Sequence, residues 1–116
     1  MNTLPDLNSV TTMDTAVATK PVPITSNFAV GSSDVVLMAG PCSVENYAQT
    51  RAAAEAVARV GGRVLRGGAF KPRTAPDSFQ GLGEAGLEIL RDAADGFGLL
   101  IITEALAVEH VPLVAR

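Results

Sequence analysis

Arg66, Lys71, Arg73 and Thr74 stand within nine residues of one another in the stretch Val64-Leu-Arg-Gly-Gly-Ala-Phe-Lys-Pro-Arg-Thr-Ala-Pro-Asp-Ser-Phe-Gln-Gly81. Four of the nine Lys and Arg residues fall between Arg63 and Pro76, with no carboxylate among them, on a chain of net charge -3. Guanidinium, ammonium and hydroxyl donors are what a phosphate group accepts from, and the glycine pair lets backbone approach a ligand. The chemistry suggested is the binding of a small phosphorylated anion. A basic loop can also be plain solvated surface. Pro72 argues against that, because it fixes the backbone between Lys71 and Arg73 and lets both cations converge.

Those residues need elements to hold them. Residues 34–39, Asp-Val-Val-Leu-Met-Ala, form a continuous apolar run closed by Gly40-Pro41, as in a strand buried on both faces. Cys42 follows it. Asn46 and Gln49 have capping-box spacing for a helix whose apolar stripe is Ala52, Ala56, Val57 and Val60, stopped by Gly61-Gly62. Val64-Leu65 is the second strand and feeds the basic loop. Leu87, Leu90, Ala94 and Phe97 step along one face of a second helix ended by Gly98. Residues 99–103 form the third strand, with Glu104 at its end, and Pro112 suits the first turn of a third helix.

Strands alternating with helices, roughly 30 residues apart, imply right-handed βαβ units and a parallel sheet. Cys42, the basic loop and Glu104 then all lie at strand carboxyl ends, the face on which such folds build active sites. Residues 1–33, rich in Thr, Ser, Asn and Pro, are expected to be mainly a flexible extension, with Phe28-Ala-Val30 as a short strand.

Composition narrows the function. The chain has 116 residues, 47% of them hydrophobic, with a mean hydropathy of +0.28, the profile of one modest core-forming domain. Its apolar runs fall short of the roughly 18 residues that cross a bilayer, and the first residues do not read as a secretory leader. The single cysteine excludes an internal disulfide and suits a cytoplasmic protein. A pI near 5.0 argues against nucleic acid. Zinc-finger spacings and repeats are missing from the sequence.

Met38-Ala-Gly-Pro-Cys-Ser-Val-Glu45, Leu65-Arg-Gly-Gly-Ala-Phe-Lys-Pro-Arg-Thr74, Ser78-Phe-Gln-Gly-Leu-Gly83 and Thr103-Glu-Ala105 together resemble the 3-deoxy-D-arabino-heptulosonate 7-phosphate (DAHP) synthases. The likeness is to the shorter bacterial type related to the octulosonate phosphate synthases, and it covers residues 34–116. It implies an α/β chain making up the first three units of an eight-unit TIM barrel. The activity implied is a transferase reaction opening the shikimate pathway to chorismate and aromatic amino acids: phosphoenolpyruvate condenses with erythrose 4-phosphate, and phosphate is released. The resemblance makes Cys42 a ligand of a divalent metal (Mn, Fe, Zn or Co). Arg66 and Lys71 hold phosphoenolpyruvate, with Lys71 also near the aldehyde. Arg73 and Thr74 grip the phosphate of erythrose 4-phosphate, Pro72 shapes the loop, and Glu104 lines the phosphoenolpyruvate pocket.

Lys71–Thr74 and Cys42 favour the metal-dependent heptulosonate enzyme over octulosonate relatives, which carry another pattern at the former and, in metal-independent members, asparagine at the latter. The family's His, Glu and Asp ligands come from later strands, so the chain reads as the first part of a longer enzyme, inactive alone and homo-oligomeric when complete. Two other readings stay open: a non-catalytic short chain with residual phosphate binding, and a related octulosonate-type enzyme. His110 is expected at the surface, and Phe70 either shapes a pocket wall or packs.

Overall fold

A computed structural model describes residues 19–72, 74, 75 and 77–116. The described residues fall into two compact units, divided between Val35 and Val36. In the first, β1 (Val22–Thr25) pairs antiparallel with β2 (Phe28–Val30) through a register irregularity between Pro23 and Thr25. Of the two, only Phe28–Val30 is expected from the sequence; Pro21 and Pro23 interrupt the apolar pattern around the first.

The second unit runs β3 (Met38–Ala39), α1 (Tyr47–Arg59), β4 (Val64–Arg66), α2 (Glu84–Asp95), β5 (Leu100–Ile102), a 3-10 turn (Val108–His110) and α3 (Val111–Val114). The three strands form one parallel sheet in the order β3-β4-β5. The alternation of strand and helix thus produces the parallel sheet it predicts, and Pro112 sits in the first turn of α3.

Register sets which side chains meet. Ala39, Leu65 and Ile101 stand side by side across the sheet and face the helices. There they join Val44, Ala54, Val57, Leu90, Ala93, Ala94 and Leu99 in the core. Leu65 and Leu90 are fully buried, each removing from water apolar area that stabilises the fold by about 1.5–3 kcal/mol. The next residues on β4 and β5, Arg66 and its partner Ile102, point to the other face by the two-residue strand period.

Three expectations fail here. The apolar run at 34–39 yields a strand of only two residues, and Val35 is 97% exposed. The reason is its partner: β4 starts at Val64, paired with Met38, and Arg63 N–H reaches only as far back as the Leu37 carbonyl. Continuous apolarity also does not mean burial on both faces, since Met38 and Ile102 are exposed and only central β4 has both Val64 and Leu65 buried. In α1 the buried residues are Thr50, Ala54 and Val57, whereas Ala52, Ala56 and Val60 are exposed. An alanine-rich helix offers several apolar stripes, and the one chosen contains a threonine whose hydroxyl is satisfied by the Asn46 carbonyl at 2.9 Å. The α2 stripe holds better, with Leu90 and Ala94 buried and Leu87 and Phe97 half-buried.

Candidate active site at the strand carboxyl ends

Cys42 sits in the turn between β3 and α1, and that turn is fastened at several points. Asn46 caps α1, its side-chain oxygen accepting from Gln49 N–H at 2.8 Å. Gln49 reaches back, accepting from Glu45 N–H at 3.1 Å and donating to the Ser43 carbonyl at 3.0 Å. The capping box is present, with its return bond one residue earlier than the usual pattern. Val44 is fully buried, and its N–H donates to the Gly68 carbonyl at 2.9 Å.

The two glycines flanking this turn permit close approach. A Cβ on Gly40 would lie 1.8 Å from the Arg66 carbonyl oxygen, and one on Gly68 would lie 2.6 Å from the Cys42 carbonyl and 3.2 Å from Lys71 Nζ. Only glycine lets the end of β3 press against β4, and the Cys42 turn against the loop after β4.

Lys71 opens the basic loop, and its backbone is fixed where the loop closes. Its N–H donates to the Gln80 carbonyl at 2.8 Å, and next to it Gly83 N–H donates to Ala69 at 2.9 Å. The ammonium then crosses to Cys42, donating to its carbonyl at 2.7 Å and contacting Sγ at 3.3 Å. Arg66 donates from Nη1 to the Pro41 carbonyl at 3.1 Å, while its Nη2 stands 3.8 Å from Glu104 Oε1. The Cys42 thiol is held below its ordinary range, first by the hydrogen bond from Lys71 and then by the Arg66 guanidinium.

Cys42, Arg66, Lys71 and Glu104, four residues singled out from the sequence, therefore converge at the carboxyl ends of three adjacent parallel strands. Pro72 and Thr74 lie exposed on the loop beyond, and Arg73 lies outside the described residues. A cavity of about 560 Å³ lies elsewhere, between α2, β5 and α3, and none of the four convergent residues lines it. Its lining mixes apolar Leu87, Leu90, Ile101, Leu113 and Val114 with charged Glu84, Glu88, Arg91, Asp92 and Arg116.

His110, expected at the surface, lies there half-buried against a neighbour. Its ring stacks on Phe70 with centroids 3.7 Å apart and planes 11° from parallel. Its Nδ1 accepts from Leu106 N–H at 3.2 Å. The side-chain hydroxyls of Ser43 and Thr103, next in sequence to Cys42 and Glu104, are buried with no hydrogen-bond partner among the described residues.

A family model described as the DAHP synthetase I family matches residues 14–116. The chain belongs to this family. Among relatives of the DAHP synthetase I chain, the phospho-2-dehydro-3-deoxyheptonate aldolase of Thermotoga maritima is 51% identical over 87 residues, covering 75% of this chain and 26% of that protein. A 2-dehydro-3-deoxyphosphooctonate aldolase of Geobacter sulfurreducens is 35% identical over 88 residues, 70% of this chain and 32% of its own length. The crystal structure of the Thermotoga maritima DAHP synthase superposes with a TM-score of 0.77 at 46% identity, covering 83% of this chain and 28% of that one. A truncated form of 3-deoxy-D-arabino-heptulosonate 7-phosphate synthase from the same organism gives 0.68 at 36% identity, with 83% and 32% covered. The α/β architecture is thus that of a DAHP synthase, and the chain spans about a quarter to a third of the length of the relatives it matches.

Proposed function

We propose that this chain forms part of a 3-deoxy-7-phosphoheptulonate synthase, a transferase joining phosphoenolpyruvate to erythrose 4-phosphate with release of phosphate. The observation that carries the reading is the convergence of a thiol, a guanidinium, an ammonium and a carboxylate at three neighbouring strand ends. In this reading residues 34–116 supply three units of an eight-unit (β/α) barrel, with residues 1–33 an extension. The complete enzyme is cytoplasmic and homo-oligomeric, as the sequence resemblance implies.

The chain's own groups divide the work. Arg66 and Lys71 offset the charge of phosphoenolpyruvate, and fixed cations do this best because they need no reorganisation when the substrate arrives. Arg73 and Thr74 take the phosphate of the sugar, with Pro72 setting the spacing between Lys71 and Arg73. Lys71 holds a proton at Nζ close to where the aldehyde oxygen lies. Glu104, paired with Arg66, orients that guanidinium and borders the phosphoenolpyruvate pocket. Holding two phosphorylated substrates at bonding distance accounts for much of the rate.

Cys42 suits one position of a divalent metal site, being exposed and held toward its thiolate form. Among the described residues no three His, Cys, Asp or Glu side chains gather around it, so Cys42 is the donor this region would contribute. When bound, the ion would supply Lewis-acid polarisation of the aldehyde.

The test is turnover of the complete protein with Lys71→Ala or Arg73→Ala: loss of synthase activity in both is expected, and near-normal rates would sink the assignment. The octulosonate-type relatives motivate one comparison in the same assay, erythrose 4-phosphate against a five-carbon aldose phosphate, the size that an eight-carbon product requires. A preference for the five-carbon sugar would move the chain to that branch, against the Lys71–Thr74 pattern.

A further inference from the structure

We infer that His110 is a positioning residue, one imidazole that holds the Lys71 loop and the Glu104 loop in a fixed relation. The inference rests on the synthase reading for what the two loops do, and on geometry for how they are coupled. The ring of His110 lies flat on Phe70, the residue immediately before Lys71, at 3.7 Å. The same ring, through Nδ1, accepts from Leu106 N–H, two residues after Glu104. Lys71 and Glu104 are therefore each one or two residues from a contact to a single side chain.

The contacts are local and directional. An aromatic stack fixes the separation of two rings, and a hydrogen bond to a backbone N–H fixes a loop's path. Lys71 N–H to Gln80 and Gly83 N–H to Ala69 close the first loop on itself, and Gly67 N–H to the Ile102 carbonyl at 3.2 Å joins the two strand ends just ahead of the loops. The 3.8 Å approach of Arg66 to Glu104 links the same two sides, but both side chains are well exposed and such pairs are weak. His110 is the sturdier tie. It touches neither Cys42 nor the reacting groups in any contact described above, so it acts through Phe70 and Leu106.

The experiment uses the complete protein stripped of metal, and follows alkylation of Cys42, the only cysteine in this chain, at one neutral pH. His110→Ala should slow alkylation at least about threefold, because the ammonium that favours the thiolate is no longer held beside Sγ. His110→Phe keeps a ring on Phe70 and should restore the rate, while still raising the KM for phosphoenolpyruvate because the bond to Leu106 is gone. A merely structural role would lower the melting temperature of both variants without this split. Should His110→Ala fail to fold, Phe70→Leu is measured instead, with the same slowing expected. A folded His110→Ala or Phe70→Leu protein with wild-type alkylation would overturn the coupling. Absence of synthase activity in the unaltered protein would overturn the functional reading, and the alkylation comparison would still decide the coupling.

Discussion

Lys71 Nζ lies 2.7 Å from the carbonyl oxygen of Cys42 and 3.3 Å from its sulfur, so one ammonium both locks the turn after β3 and stabilises a thiolate there. Alkylation of the metal-free protein should rise with pH as the thiol loses its proton. With the thiol held low by Lys71 and then Arg66, that rise should be complete at a lower pH than for a free cysteine. Lys71→Met, which keeps the stem and removes the charge, should move the midpoint up in pH. An unmoved midpoint would show that the ammonium does not act on the thiol in solution.

Gly68→Ala should be far more harmful than its size suggests. The added Cβ would meet the Cys42 carbonyl at 2.6 Å and Lys71 near Nζ at 3.2 Å. The turn and the loop would be forced apart, at a cost of about 1–3 kcal/mol. Urea unfolding measures that cost, and synthase turnover should fall well beyond what the lost stability explains. A variant with normal turnover would contradict the tight seating of these two segments.

Leu90→Ala should destabilise the fold by about 2–5 kcal/mol. Leu90 is fully buried against the sheet, and its methyls lie where a Cβ on Gly67 would meet them, so the cavity forms directly beneath the loop after β4. A midpoint shift in urea corresponding to less than about 1 kcal/mol would mean that the site collapses to fill the gap.

Glu104→Gln separates structure from function at the Arg66 pair. Both partners are exposed enough that the ion pair contributes less than about 1 kcal/mol. Thermal stability should hardly change, whereas the KM for phosphoenolpyruvate should rise because Arg66 loses the carboxylate that aims it. An unchanged KM would leave Glu104 without a role in the pocket.

How far the sequence carries can be judged at particular residues. Cys42, Arg66, Lys71 and Glu104 are legible because the alternation of apolar runs and helical periods sends each to a strand carboxyl end, and the sheet brings those ends together. The length of β3 is not legible, since it depends on where its partner β4 begins rather than on its own apolar residues. Thr50 is hidden for another reason: a polar residue becomes a core residue only once its hydroxyl finds the Asn46 carbonyl. The His110 stack is missed because its partner Phe70 is forty positions away, and no periodicity reports a contact made by two loops.

In β4 neighbouring residues serve different ends: Leu65 enters the core while Arg66 turns toward the site. One residue inserted or removed inside this three-residue strand would exchange the two, burying a guanidinium and exposing a leucine. Variation in length is therefore barred from the strand, and the tight seating of Gly62, Gly67 and Gly68 bars it from the residues next to the strand as well. Around Gly61 there is open space for the turn to lengthen, although its φ of +83° keeps that position itself a glycine. Over evolutionary time this strand can change its letters but not its count.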